Sequence, residues 1–332
     1  MSLKRFGVFT AKKLIRAAIL VVVVSTVAFA LSALSPVDPL SANVGANALG
    51  SMSAEQIEKL ESYWGTDTPA LERYLNWAGD FIKGDMGTSL LYRMPVSEII
   101  GEKLAASLPV MITAWVLSGI LGFAIGAFSG SCPGSPGDKI ARTYCVVISG
   151  TPSFWIAILA VMIFSIWLGI FPVSMSVPAG VLSDMVTFSD RLKHAVLPVM
   201  VLTLTGVAQV AMHTREKVVE TYSSDMARYA RMRGESGRKL FFGHVLRHAL
   251  LPAVTLHMAS LGELIGGTVL VEQVFSYPGL GQAAVNAGVG GDLPLLLGIT
   301  VVTALMVFGA NLAADIIYRI VDPRMRRGGS LI

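Results

Sequence analysis

The sequence predicts an all-α polytopic membrane protein with six transmembrane helices, and three observations carry that prediction. Of its 332 residues, 53% are hydrophobic and only 14% charged, whereas a soluble domain carries close to a quarter charged. The apolar residues gather in six runs long enough to cross about 30 Å of hydrocarbon. The cations gather between alternate runs, as they do beside one face of a membrane.

By apolar length the runs are 14–34, 104–129, 144–170, 195–211, 249–271 and 293–317. Lys4, Arg5, Lys12, Lys13 and Arg16 cluster at the start of the first, Lys139 and Arg142 separate the second and third, and eight cations lie in 215–248. Arg319, Arg324, Arg326 and Arg327 follow the last run, so 19 of the 26 Lys and Arg fall on one side. The positive-inside rule then places both termini in the cytoplasm, in the cell (inner) membrane. The net charge of +4 reports this topology and gives no sign of nucleic acid as a partner. The first run exceeds the hydrophobic region of a signal peptide and reads as an uncleaved helix.

The chain therefore divides into a cytoplasmic N-terminus with the first helix (1–34), an extracytoplasmic helical segment (35–103), a five-helix core (104–318) and a cytoplasmic tail (319–332). In the extracytoplasmic segment two short helices are expected over 53–64, with Ser53 as N-cap, and 68–83, followed by a Gly84-Asp-Met-Gly87 turn. Ten acidic residues between Asp38 and Glu102 form a solvated face or attract a basic ligand.

The polar interruption at 215–248 carries Tyr229-Ala-Arg-Met-Arg-Gly-Glu235 and ends at His248-Ala-Leu-Leu-Pro252. It reads as a docking element for a cytoplasmic partner. Ala230 and Gly234 form a small-residue notch at helical spacing that admits another surface, Gly234 and Gly237 make the corner of a helical lever over 225–250, and Pro252 opens the next membrane helix. A helix lying on anionic lipid is the competing reading.

No catalytic constellation appears. His244 and His248 stand four apart without a third ligand, and Cys132 and Cys145 have weak disulfide or metal spacing. No Gly-x4-Gly-Lys-Ser/Thr loop exists, so any ATPase is a separate polypeptide. Within the spans Glu263 is the sharpest candidate for the translocation pathway, because an ionisable group there must be paired or wetted; His257 and Thr268 share its segment. Asp315 is expected to pair within the bundle, with Arg319 one turn on. Gly262, Gly266 and Gly267 are expected to let helices approach closely. Tyr277, Pro278, Gly279 and Gly281 have the turn chemistry of a constrained outer loop.

Six motifs along almost the whole chain carry a family resemblance: Ser35-Pro-Val-Asp-Pro39, Gly84-Asp-Met-Gly-Thr-Ser89, Thr151-Pro-Ser-Phe-Trp155, Leu197-Pro198, Val271-Glu-Gln-Val-Phe-Ser-Tyr-Pro-Gly-Leu-Gly-Gln282, and Asn311-Leu-Ala-Ala-Asp315 through Asp322-Pro-Arg324. In this order they resemble the permease subunits of dipeptide/oligopeptide/nickel-type ATP-binding-cassette importers. The resemblance implies the type I ABC importer permease fold and transport of peptides or nickel and metal chelates, with no catalysis by this chain. It implies no cofactor here, with ATP and Mg bound by two partner ABC ATPase subunits. A second homologous permease and an extracytoplasmic substrate-binding protein complete the implied complex.

The resemblance also makes the stretch from Asp225 the loop that inserts into an ATPase groove. Against the general Glu-Ala-Ala-x3-Gly pattern, Arg228 and Tyr229 replace the first two residues while Ala230 and Gly234 match. The polar contact then falls to Arg228, Arg231 or Arg233. The outer loop at Tyr277 to Gly281 is placed by resemblance near the outer gate. An ion-coupled secondary transporter is the alternative, and would need internal repeats and ion sites.

Overall fold

The computed structural model describes residues 3–35, 39–64, 68–173, 176–177 and 186–321. Residues 36–38 of the first motif and the tail from Asp322, with Arg324, Arg326 and Arg327, lie outside the described residues, as do the side chains of Lys4, Arg5, Lys12 and Arg319. Among the described residues every regular element is helical, apart from an isolated antiparallel bridge between Thr88 and Pro95.

The helices are α1 (Leu3–Ala33), α2 (Pro39–Val44), α3 (Ala46–Leu49), α4 (Ala54–Trp64), α5 (Ala70–Ile82), α6 (Val96–Ser131), α7 (Pro136–Ser149) and α8 (Ser153–Ala160), the last continued by a π-helical turn Val161–Trp167. Then come α9 (Phe188–Ser223), α10 (Asp225–Met232), α11 (Gly237–Leu240) with a π-helical turn Phe241–Val245, α12 (Leu246–Ala259), α13 (Leu261–Val274), α14 (Leu280–Gly290) and α15 (Leu293–Val321). Four are long and apolar enough to cross a membrane, and two bent pairs bring the number to six if each is one span.

Local chemistry explains several boundaries. Ser53 and Gln56 cap α4 reciprocally, the Ser53 hydroxyl accepting from the Gln56 N–H at 3.3 Å and the Gln56 carbonyl from the Ser53 N–H at 2.9 Å. Thr187 and Asp190 form the same kind of box on α9. The fourth span is thus much longer than its expected 195–211, because helical hydrogen bonding continues past the apolar run into polar ends.

Two expected spans are broken. The run 144–170 bends by 105° between α7 and α8, where Pro152 has no N–H to donate and pushes Thr151 out of helical backbone. The run 249–271 bends by 48° at Ser260, whose hydroxyl donates to the His257 carbonyl at 2.8 Å. Pro252 does not open a helix: it lies inside α12, as prolines do in membrane helices where neighbouring groups or local π-helical turns take up the freed backbone.

The chain forms two compact units, Met1–Ser107 with Pro278–Phe308, and Leu108–Tyr277 with Gly309–Ile332. In the first, Val96, Ile99 and Ile100 pack on Leu280, Ala283, Ala287, Leu295 and Ile299. The chain after α1 is thus fastened to a distant stretch of sequence: Asn43 donates to the Gly290 carbonyl, 247 residues on, at 2.6 Å. In the second unit, α6 approaches α9 along Gly122, Gly126 and Gly130. A Cβ at Gly122 would sit 2.7 Å from Val210 Cβ, and one at Gly130 2.7 Å from Val218 Cβ. The close helix seam is here, whereas a Cβ at Gly266 would meet nothing within 4 Å and one at Gly267 only Leu202 at 3.9 Å.

Candidate functional site

Ser224 begins the site by ending α9 and capping α10, its hydroxyl accepting from the Ala227 N–H at 3.4 Å. The short helix α10 is two-faced. Ala227 and Ala230 are buried against Val218, Leu240, Val245 and Ala249, while Tyr229 and Met232 are 62% and 73% exposed. Ala230 is thus no notch for a partner, since its small side chain lets α10 lie close on its own chain. The outward groups are Tyr229, Met232, Arg228 and Asp225, the last two within 3.4 Å of each other and both largely exposed.

The corner follows at Arg233 to Ser236. Gly234 has φ of +81° and Gly237 +53°, the left-handed region that glycine enters without Cβ strain. The stretch 225–250 is therefore helical on either side of a turn that holds Gly234 and Gly237. Glu235 stitches that turn shut: its buried carboxylate lies 2.8 Å from His244 Nε2 and 3.6 Å from Arg233. The hydrogen bond to His244 holds the Glu235 carboxyl below its ordinary range, against the cost of burial. His244 is thereby committed to a carboxylate, and His248 is exposed. Arg231 turns back, donating to the Tyr222 carbonyl at 3.1 Å and lying over the Tyr222 ring.

The root of this element was not legible from motif spacing. Asp138, at the start of α7, is fully buried and accepts from Arg215 Nη2 at 2.9 Å, from Arg215 Nε, from the Ser129 hydroxyl and from the Gly134 N–H at 2.8 Å. A bidentate, hydrogen-bonded ion pair thus ties the end of α6, the start of α7 and the stretch of α9 that leads into α10. The charges of Asp138 and Arg215 are 77 residues apart, so only their unlike signs in two like-sided connections hinted at it.

The three pathway candidates are not brought together. Glu263 is exposed and accepts from Gln209 Nε2 at 2.9 Å, a polar pair between α13 and α9. His257 stacks on Trp115 with centroids 4.6 Å apart. Trp115 Nε1 donates to the His257 carbonyl at 3.1 Å, and His257 Nε2 lies 3.0 Å from the Trp115 carbonyl. A Cβ on Gly119 would collide with that imidazole, so His257 is a packing group between α6 and α12. Thr268 is buried and its hydroxyl donates to the Leu264 carbonyl at 2.8 Å, within its own helix.

Tyr277 is buried, its N–H donating to the Glu272 carbonyl at 2.9 Å after Ser276 turns the chain with φ of +46°. Burial pushes the Tyr277 hydroxyl up from its ordinary range, with the Glu272 charge adding to the effect. Gly279 precedes α14, and the Leu280 N–H donates to the Ser107 hydroxyl at 2.8 Å. Pro278 opens the stretch assigned to the first unit, and Gly281 is buried within α14.

A second unforeseen carboxyl, Asp292, organises the first unit. It is fully buried and accepts from the Ser89 hydroxyl, from the Leu91 N–H at 3.0 Å and from the Leu295 N–H at 3.2 Å. It caps α15 and fixes the turn that follows Gly84-Asp-Met-Gly87, in which the Gly87 N–H donates to Asp85 at 2.8 Å.

Residues 122–327 match the family model of the binding-protein-dependent transport system inner membrane component. The chain belongs to this family of ABC importer permeases. The permease is 32% identical over 303 residues to the oligopeptide transport system permease protein AppB of Bacillus subtilis, covering 91% of this chain and 94% of that relative. It is 30% identical over 319 residues to the di/tripeptide transport system permease protein DppB of Pseudomonas aeruginosa, covering 91% and 94%. A crystal structure of an amino acid ABC transporter with histidines shares the fold at a TM-score of 0.51 and 15% identity, over 67% of this chain and 94% of the other. As a member of the family, the permease is a non-enzymatic, multi-pass membrane subunit of a transport complex.

Proposed function

We propose that this permease carries peptides into the cell as one of two permease subunits, fed by an extracytoplasmic binding protein and driven by two ATPase subunits that bind ATP and Mg. The observation that carries the reading is the two-faced α10. A helix whose alanine face is locked to its own chain, and whose Tyr229, Met232 and Arg228 stand outward, is built to be held from outside. Asp138 and Arg215 make its base stiff, so that motion of a docked ATPase reaches α6, α7 and α9 together.

Asp225, Arg228, Tyr229 and Met232 then form the docking face, with Arg231, Arg233 and Gly234 shaping the corner behind it. The termini and this turn are cytoplasmic, supported by the cation distribution and by the pairing of the 2–3 and 4–5 connections through Asp138 and Arg215. Peptide cargo is favoured over nickel chelates by the oligopeptide and di/tripeptide names of the relatives. Gln209 and Glu263 supply the polar pair for the pathway or for the facing permease. The turn at Tyr277 to Gly281 serves the outer gate.

The test is reconstitution of the permease with its partner subunits and binding protein in liposomes, reading ATP hydrolysis and uptake with peptide or nickel-chelate ligands. Peptide stimulation in the wild type, lost in Gly234→Trp together with ATPase co-purification while membrane insertion persists, is the expected result. Unchanged co-purification and uptake in that variant removes the docking assignment. Wild-type kinetics in Glu263→Gln removes the pathway role of that residue.

A further inference from the structure

In the first unit, α5 lies along α1. The Tyr74 hydroxyl is 3.0 Å from that of Ser25 and 2.9 Å from that of Thr26, and its ring packs on Phe29. The side of α5 opposite Arg73 presents Leu71, Leu75 and Ile82, all strongly exposed, and α1 presents an apolar stripe of its own, Val23, Val27 and Leu31. Such a surface is at home against acyl chains.

Between these helices and the α14 to α15 connection opens a cavity of about 470 Å³, lined by Phe29, Leu31, Arg73, Gly288, Leu293 and Leu296 among others. Arg73 is the charged residue of that lining, and its Nε is buried without a hydrogen-bond partner among the described residues. One helical turn on, Trp77 Nε1 is likewise buried and unpartnered, within an aromatic stack of Tyr74, Trp77 and Phe81. Two buried donors without a partner among the described residues thus stand on neighbouring turns of one helix, where buried donors are seldom left unpaired. A half-buried guanidinium in a cavity lined by Ser32 and Ser35 as well as Phe29 and Leu31 suits an oxyanion such as phosphate, which its planar fork binds at two oxygens.

We propose that α1 and α5, with Arg73, form a seat for a phospholipid, its phosphate on Arg73 and its acyl chains along the Val23, Val27 and Leu31 stripe of α1, of which Leu31 also lines the cavity. The seat anchors the 70–82 helix to the bilayer edge. This inference goes beyond the transport reading and does not rest on ATPase docking or on the cargo, since lipid retention is read separately from both.

The assembled transporter is purified in detergent, and native mass spectrometry counts the phospholipid it retains in wild type, Arg73→Gln, Arg73→Lys and, as a control, Lys59→Gln. Loss of retained lipid by about tenfold in Arg73→Gln, partial retention in Arg73→Lys and no change in Lys59→Gln are expected. A measurement on the wild type alone guards against misfolding of the variants. Added phosphatidylglycerol should raise the unfolding midpoint, whereas a galactosyl diacylglycerol with the same chains, or inorganic phosphate, should not. Equal stabilisation by the sugar lipid would make the site a purely apolar groove, and stabilisation by inorganic phosphate alone would make it a free-anion site. Either result, or unchanged lipid retention in Arg73→Gln, overturns the proposal.

Discussion

Asp138 and Asp292 are both fully buried, and each fixes a turn, yet they are satisfied by different means. Asp138 meets a bidentate arginine, a hydroxyl and a backbone N–H. Asp292 meets a hydroxyl and two backbone N–H groups, and among the described residues none of its partners is a cation. A turn held by neutral donors gives up only hydrogen bonds when it parts from its acceptor. A turn held by an ion pair across three helices moves only with all three, which suits the root of an element that transmits force. The cost of breaking each should differ accordingly, because a stranded buried charge is worse than a stranded buried dipole.

The largest effect is expected from Arg215→Met, which leaves Asp138 buried without its cation and should cost about 3–5 kcal/mol, read as a fall in the unfolding midpoint. Adding Asp138→Asn should recover much of that loss, and a double variant no better than the single one would break the contrast. Next comes Asp292→Ala, which orphans the Leu91 and Leu295 N–H groups and should cost about 1–3 kcal/mol, with Asp292→Asn milder because it keeps an acceptor. If Asp292→Ala proves the more damaging, the distinction between the two turns is wrong.

Acid sharpens the comparison at the corner. The Glu235 carboxyl is held low in the folded protein, so its contribution is fully present above the ordinary carboxylate range and disappears as pH falls through the lowered value. Titrating the unfolding midpoint from about pH 6 to pH 3 should therefore show a steeper loss in wild type than in Glu235→Gln, and parallel curves would remove Glu235 from the account. The smallest stability change belongs to Tyr229→Ala, expected within about 0.5 kcal/mol because the ring is exposed. Uptake and ATPase co-purification should nonetheless fall, and a variant that transports like wild type would place the docking contact elsewhere.

Much of the fold was legible in the chain because it is written in neighbouring residues. Apolar runs marked the helices, Ser53 marked the start of α4, and Gly234 marked the corner after α10, where positive φ excludes side chains at little cost only for glycine. Pro252 was expected to open a helix and lies inside one, and Ala230 was expected to face a partner and faces Val218 and Leu240, because spacing gives periodicity without saying which face another helix will cover. Gly122, Gly126 and Gly130 make a close seam and Gly266 does not, since close approach depends on the opposing side chains.

Composition and ordered motifs alone determined that this is a multi-pass membrane permease with up to six spans, because lipid demands long apolar helices. Tertiary structure alone decided that Arg215 answers Asp138, that Asp292 answers Ser89 and Leu91, that Gln209 answers Glu263, and that Arg73 is left open beside a cavity. Those partners are tens to hundreds of residues apart. A carboxylate or guanidinium carries no signal of its partner along the chain, and the choice falls to whichever donors packing brings within about 3 Å.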